Sequence, residues 1–473
     1  MSRRQPARPD TLWSQSGTVD RQMLDYTVGD DRHVDGRLLR WDVLGSLGHI
    51  EGLRASGLLE PADYRRLRTG LRQALAAVES GALMIGAEHE DAHSAIEAWL
   101  TGRWGPAGER VHTGRSRNDQ IACDLRLYLK DRLLSLHESA AEVASALLAF
   151  AARHRAVLWP GYTHQRRAMP SSAGLWASAY AQGILDTLEG LPAVWQRVDR
   201  SPLGSAAGFG VPLPLKREAA AKALGFAAVE HNVAAVQHGR GKLEAAVLFW
   251  CAELGHELSK LSTDVIAFTA EEYGWLVLPP ELATGSSIMP HKRNPDLFEL
   301  TRARAAALEG DLAATMALKS KLGGGYHRDF QLLKEPLLRG VDRTGEMLAM
   351  MAAAVPRLEV DAERAAGALS GGMLATDEVM RRVEQGTPFR TAYRAVADEA
   401  RSGAAFPAPG SEELAARRTG TGNIGNLGLD QLRARLRAAR RWEGAERRRF
   451  GAAIRRLTGA AAHPARVPRR SAR

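Results

Sequence analysis

Four short stretches of the chain are richer in polar groups, glycine and proline than the apolar sequence around them. In Gly285-Ser286-Ser287-Ile288-Met289-Pro290-His291-Lys292-Arg293-Asn294-Pro295, a flexible Gly-Ser-Ser entry passes through a proline-closed loop to Lys292, Asn294 and a helix start. Backbone N–H groups at such a turn, beside a lysine, suit a carboxylate or a developing oxyanion. The same residues also read as a plain capped loop, and on geometry alone that reading is the commoner one. In His112-Thr113-Gly114-Arg115-Ser116-Arg117-Asn118-Asp119-Gln120, two arginines, Ser116 and Asn118 precede a long amphipathic segment. That grouping suits a bidentate carboxylate clamp, or equally an N-cap with surface charges. A third stretch, Gly161 to Pro170, holds His164 beside Thr163 in a turn bounded by glycine and proline. A histidine there can move a proton, although most isolated histidines do not. The fourth, Tyr326 to Pro336, brings Tyr326, Gln331 and Lys334 within two or three helical turns. His93 and Glu97 stand four residues apart, but two ligands without a third do not make a metal site, so no metal is expected.

Long helices are needed to hold these stretches. Leu243, Val247, Trp250, Leu254, Leu258, Leu261 and Val265 recur at alternating three- and four-residue steps, as do Leu125, Leu129, Leu133, Leu136, Ala140, Val143, Leu147 and Phe150. Each series predicts one apolar stripe along a helix, suited to bundle packing. The stripes are longer than a single-chain bundle needs, so they are expected to face other subunits of an oligomer. Asn294-Pro295-Asp296 predicts a third helix, with Asn294 as cap and Pro295 in its first turn, running through Leu318. Alternating strands are scarce, and the expected fold is all-α. Breaks near Gly102–Gly108 and Ala354–Glu359 divide it into an N-terminal helical domain (1–111), a central long-helix bundle (112–358) and a C-terminal helical domain (359–473). Residues 402–413 read as a surface loop, and the tail after His463 as disordered.

Composition sets outer limits. At 473 residues, with 45% hydrophobic and 25% charged side chains, the chain has the make-up of a globular protein with more than one packed region. No run of about 18 uncharged apolar residues indicates a membrane span, and the start does not read as a signal peptide. Its two cysteines, Cys123 and Cys251, fit a reducing cytoplasm rather than a disulfide framework. Much of the net charge of +10 lies after Arg433. Without an accompanying aromatic or glycine pattern, it reads as a solvated helix face and tail, not as a nucleic-acid module.

The Gly285–Asn294 loop resembles the signature loop of the fumarase/aspartase superfamily, and His112–Gln120 is similar to the corresponding segment of argininosuccinate lyases. Further matches are Pro160 to His164, Ser201-Pro202-Leu203-Gly204-Ser205, Lys334-Glu335-Pro336-Leu337, Ala375-Thr376-Asp377 and Pro388-Phe389-Arg390, in the family's order from about Arg37 to about Ala392. The resemblance implies a homotetramer on a central twenty-helix bundle, with active sites shared between subunits, a small anionic amino-acid-derived substrate and no cofactor. It implies β-elimination of argininosuccinate to arginine and fumarate, with Ser286 as base and His164 assisting proton transfer to the leaving nitrogen. Lys292 and Asn294 would hold the carboxylate as charge builds on it. Ser116, Arg117, Asn118 and Thr163 would bind the fumarate half, and Tyr326, Gln331 and Lys334 the other half. Retention of Ser286, His164, Lys292 and Asn294 argues against a non-catalytic paralogue.

Departures from the family's pattern cluster toward the leaving group. Asp31 replaces a serine expected beside that group's amino-acid end, where an extra carboxylate needs a cation. The substrate itself, Arg32 or Arg166 could provide one. Ser14-Gln15-Ser16, Ile96, Gln165-Arg166-Arg167-Ala168-Met169-Pro170 and Gln237-His238-Gly239-Arg240 also differ. An alternative expectation is therefore a lyase of the same superfamily releasing fumarate from another N-substituted aspartate or succinate.

Overall fold

The apolar series beginning at Leu125 lies on one helix of 37 residues, about 55 Å long, and every member is buried. The computed structural model describes residues 21–459 apart from 87, 88, 90, 405 and 407–409. The expected features at Ser14–Ser16 and in the tail after His463 lie outside the described residues.

Helices α1 (Arg21–Val28), α2 (Asp31–Gly36), α3 (Leu39–Ala55), α4 (Pro61–Glu79) and α5 (Ala92–Trp104) precede the long α6 (Arg117–Arg153). A hairpin of β1 (Leu158–Thr163) and β2 (Arg166–Ser172) leads to α7 (Ala173–Val198). Then β3 (Arg200–Ser201) pairs in parallel with β4 (Ala228–Val229) across α8 (Arg217–Ala223), before α9 (Val233–His238) and α10 (Lys242–Thr269). Strand β5 (Leu276–Val277) is followed by a small hairpin of β6 (Thr284–Gly285) and β7 (Arg293–Asn294). The long helices α11 (Asp296–Lys319) and α12 (Lys334–Ala354) come next, then β8 (Glu359–Val360), antiparallel to β5. Helices α13 (Ala362–Gly367), α14 (Ala375–Glu384), α15 (Phe389–Arg401), α16 (Ser411–Ala416) and α17 (Leu429–Thr458) complete the chain.

Helices α6, α7, α10, α11 and α12 pack on one another, and α17 returns to lie against α6 and α7. Their apolar residues form one continuous core, while a second cluster gathers Leu374, Val379, Ala392, Val396, Leu414 and Ile424. Gly340 permits the close crossing of α12 on α10, since a Cβ there would collide with Leu248. The all-helical expectation holds, with only short two-stranded ribbons between helices. By length and composition α6 could cross a membrane, but most of that stretch is buried inside the fold.

Four expectations need correction. The stripes do not wait for other subunits: from Val247 to Val265 every stripe residue on α10 is buried within this chain, as is the α6 series. Neighbouring long helices and α17 supply the covering surface. What stays exposed is a different set, Phe249, Leu300, Met316 and Met350. Helix α11 begins one residue later than predicted, with Pro295 as its cap, because Asn294 belongs to β7. Residues 411–413 are not loop but the first turn of α16. The basic C-terminal helix is not merely solvated, since Arg435 pairs with Asp186 and Glu189, Arg447 with Glu138, and Arg449 with Asp199.

His137, on α6, is buried against Trp442, with ring centroids 5.3 Å apart and neither ring nitrogen hydrogen-bonded. Burial, aided by the charge of Arg447, lowers its pKa to about 4. Its unfolded pKa is higher, near 6.5, so this group stabilises the fold fully above that value and progressively less as pH falls toward 4. The contribution at stake is at most about 3 kcal/mol. His137→Leu is therefore expected to flatten the fall in melting temperature between pH 6.5 and 4, and differential scanning calorimetry of both proteins checks it. Equal slopes would remove His137 from the acid response.

Candidate active site

Ser286 sits just after β6, half-buried at the mouth of the β6–β7 hairpin. Its Oγ accepts hydrogen bonds from the backbone N–H groups of Met289, at 3.1 Å, and Ile288, at 3.4 Å. Two amides aimed at one hydroxyl oxygen favour its deprotonated form, because they stabilise developing negative charge without reorganising. Asn294, across the hairpin, donates its side-chain amide to Gly285 O at 3.4 Å. Thr284 is tied to Asp296, which fixes the hairpin to the start of α11. Lys292 is exposed and, among the described residues, makes no ion pair, so its charge remains available to a ligand.

His164 occupies the two-residue turn of the β1–β2 hairpin, where Thr163 pairs with Arg166. His164 and Gln165 have φ of 54° and 62°. Two left-handed residues define the tight turn that matches strand twist, a conformation costly for non-glycine residues. The chain thus pushes the His164 ring into solvent at a strained tip, with Thr163 at its base. This hairpin had been expected only as a turn.

Ser116 caps α6, accepting from Asn118 N at 3.3 Å, while its own N–H donates to Asp119 at 3.0 Å. The second oxygen of Asp119 accepts from Gly204 N (2.9 Å) and Ala206 N (3.0 Å), which binds the Ser201–Ser205 motif to the helix start. Arg117 pairs with Asp91 at 3.1 Å. Arg115 does not share in any surface clamp. It turns inward and donates to Ser46 Oγ at 3.0 Å and Val111 O at 3.3 Å, and it lies 2.6 Å from His112 Nδ1. It joins a buried network in which His93 meets Asp42, and in which carboxylate oxygens of Asp42 and Asp124 and a ring nitrogen of His93 lie within 4.8 Å of one another. His93 thus pairs with Asp42 rather than with Glu97. Burial would raise the Asp42 carboxyl, but the charge of His93 and its hydrogen bond hold it at about 2. Burial and the Arg115 charge push His112 down to about 3. Motif reading named His93, His112 and Arg115 but passed over Asp42, Ser46 and Asp124, whose types are unremarkable and which only the fold brings to them.

Lys334 is buried and pairs with both Asp31 and Asp35, the latter at 2.5 Å. The cation facing Asp31 is therefore neither Arg32 nor Arg166. Burial raises the Asp35 carboxyl, with Lys334 pulling the other way and Asp31 adding to the rise. Gln331 donates to the carbonyls of Thr27 and Val28, both at 3.1 Å, and half-exposed Tyr326 stacks edge-on to Phe330 with centroids 5.8 Å apart. One chain therefore brings Asp31 and Lys334 into direct contact, while Gln331 is tied to the backbone at the end of α1. Among the described residues, no hydrogen bond or ion pair joins His164 to Ser286 or Lys292.

Matches to known proteins agree with this architecture. The model of a family described as lyase matches residues 51–310, and the class is that of the fumarase/aspartase lyases. An argininosuccinate lyase from Sorangium cellulosum is 43% identical over 425 residues, 90% of this chain and 98% of that protein. One from Thermotoga neapolitana is 40% identical over 82% of this chain and 98% of its own. Among solved structures, an EDDS lyase variant with bound fumarate superposes with TM-score 0.78 at 23% identity, covering 94% of this chain and 95% of its own. A fumarate lyase:delta crystallin from Brucella melitensis bound to cobalt gives TM-score 0.68 at 18% identity, covering 86% and 91%. Those two likenesses establish the fold. The chain belongs to the argininosuccinate lyase family.

Proposed function

We infer that this protein cleaves argininosuccinate to arginine and fumarate by β-elimination, the last step of arginine synthesis. The observation that carries the reading is the 43% identity to an argininosuccinate lyase across 98% of that relative. Ser286, as the alkoxide stabilised by the Ile288 and Met289 amides, takes the proton from the carbon next to a carboxylate. The electron pair moves into that carboxylate, where Lys292 and Asn294 hold the added charge. It then returns to form the double bond of fumarate as the carbon–nitrogen bond breaks, and His164 helps deliver a proton to the departing nitrogen. Ser116, Arg117, Asn118 and Thr163 bind the fumarate half; Tyr326, Gln331, Lys334 and Asp31 face the arginine half. A proton and an amine leave without redox change, so the step needs no cofactor.

We propose further that the enzyme is a cytoplasmic homotetramer whose active sites combine segments of different subunits, and that it divides into domains at 1–111, 112–358 and 359–473. The exposed Phe249, Leu300, Met316 and Met350 on α10, α11 and α12 support assembly. Ultraviolet detection of fumarate, with argininosuccinate and a panel of other N-substituted aspartates, tests the activity. Turnover of a panel member but not of argininosuccinate would reassign the leaving group. Light scattering on the same sample tests assembly, and a monomer at micromolar concentration would overturn both the tetramer and the shared site.

A further inference from the structure

A cavity of about 380 Å3, lined by none of the residues given a role in elimination, opens where α6, the end of α7, β3, the end of α9 and the start of α10 meet. That volume lies in the range of small-molecule sites, roughly 300–1,000 Å3. Its walls include Arg126, Arg197, Arg200 and Lys242 against a single carboxylate, Glu230, with His238 at the edge. Glu230 is already shared: one oxygen lies 3.2 Å from Arg126 and the other 3.7 Å from Arg200. Arg126 is buried and further fixed by the carbonyl of Arg200. Arg197 and Lys242, both exposed, have no ion-pair partner among the described residues. Here four cations converge on one concave surface with charge left over, which focuses the field and draws in anions.

We propose that this cavity binds a compact multivalent anion of the phosphate or polycarboxylate class, at a site separate from the elimination centre. Guanidinium groups present paired donors to either kind of oxyanion, and Lys242 adds a point charge. Arg126 lies about 14 Å along α6 from Arg117, so an occupant would sit on the same helix as the proposed fumarate-binding residues without touching them.

The test is thermal unfolding of the intact enzyme with inorganic phosphate in one arm and citrate in another, each against sodium chloride at equal ionic strength. Multivalent anions also stabilise proteins by exclusion from their surface, so the same titrations are run on Arg197→Ala/Lys242→Ala. In the native protein a saturable rise of about 1–3 °C is expected with at least one anion. In the double variant its midpoint should move at least tenfold higher. Whichever anion gives the larger, variant-sensitive rise identifies the class. Because neither substituted residue belongs to the proposed elimination machinery, fumarate release without added anion should be unchanged. No saturable rise over chloride, or an equal rise in the double variant, would overturn the site.

Discussion

Replacing Ser286 by alanine is expected to lower kcat by on the order of 10³-fold or more while leaving substrate binding and melting temperature close to native. The structure separates these two effects. Ser286 is half-buried on a small hairpin, and its Oγ serves only as acceptor for the Ile288 and Met289 amides. Both amides lie on an exposed loop, where water can replace the lost acceptor, so the stability cost is expected to stay near 1 kcal/mol. The amide pair has no comparable substitute as a stabiliser of an alkoxide. Steady-state fumarate release with a parallel melting curve decides the matter: activity within tenfold of native would remove Ser286 from the mechanism. His164→Asn should lose less, since the His164 ring is exposed at a hairpin tip, where water can also supply the leaving nitrogen's proton.

Lys334→Met should cost stability on a scale few single substitutions reach, about 3–5 kcal/mol, because it strands two carboxylates around a buried position. Asp31→Ser alone should be mild, below about 1 kcal/mol, since Asp31 is partly exposed and Asp35 keeps its partner. Combined with Lys334→Met, Asp31→Ser should recover part of the loss by removing one of the two unpaired charges. Urea unfolding of the two single variants and the double variant checks this ordering. If the double variant were less stable than Lys334→Met alone, charge repulsion would not be the cause. On the activity side, Asp31→Ser should change kcat/KM across a panel of N-substituted aspartates if the second carboxylate is sensed by the leaving group. Unchanged values for every substrate would leave Asp31 as a structural partner of Lys334.

The long helices were legible because three- and four-residue apolar spacing survives any context, and the series from Leu125 and from Leu243 both lie along single helices. What those stripes pack against was not legible, since spacing records which face is apolar and not which neighbour covers it. The β1–β2 hairpin escaped notice because Pro160, Gly161 and Pro170 interrupt any alternation and its turn is made by His164 and Gln165, not by Asn-Gly or Asp-Gly. The start of α11 was misplaced by one residue because Asn294, a good cap in isolation, spends its side-chain amide across the hairpin. The motifs picked out Ser286 and Ser116, whose hydrogen-bond partners lie within three residues in sequence. They could not locate the partner of Asp31, since the carboxylates of α2 reach Lys334 from the far end of the chain, 299 residues away in the case of Asp35. Nor could they show that Arg115 would be drawn inward to balance Asp42.

Asp119 has a consequence for how a pH–rate profile is interpreted. One carboxylate ties together the first turn of α6 and the loop through Gly204 and Ala206, so Arg117 and Asn118 keep their place only while that carboxylate accepts on both sides. Burial, opposed by those same amides and by Arg115, holds its pKa up at about 6. Protonation below that value would loosen the two segments from each other without touching any reacting atom. An acidic limb near pH 6 could then arise from this fastening beneath the proposed fumarate-binding residues, and a kinetic pKa alone would not name the proton donor.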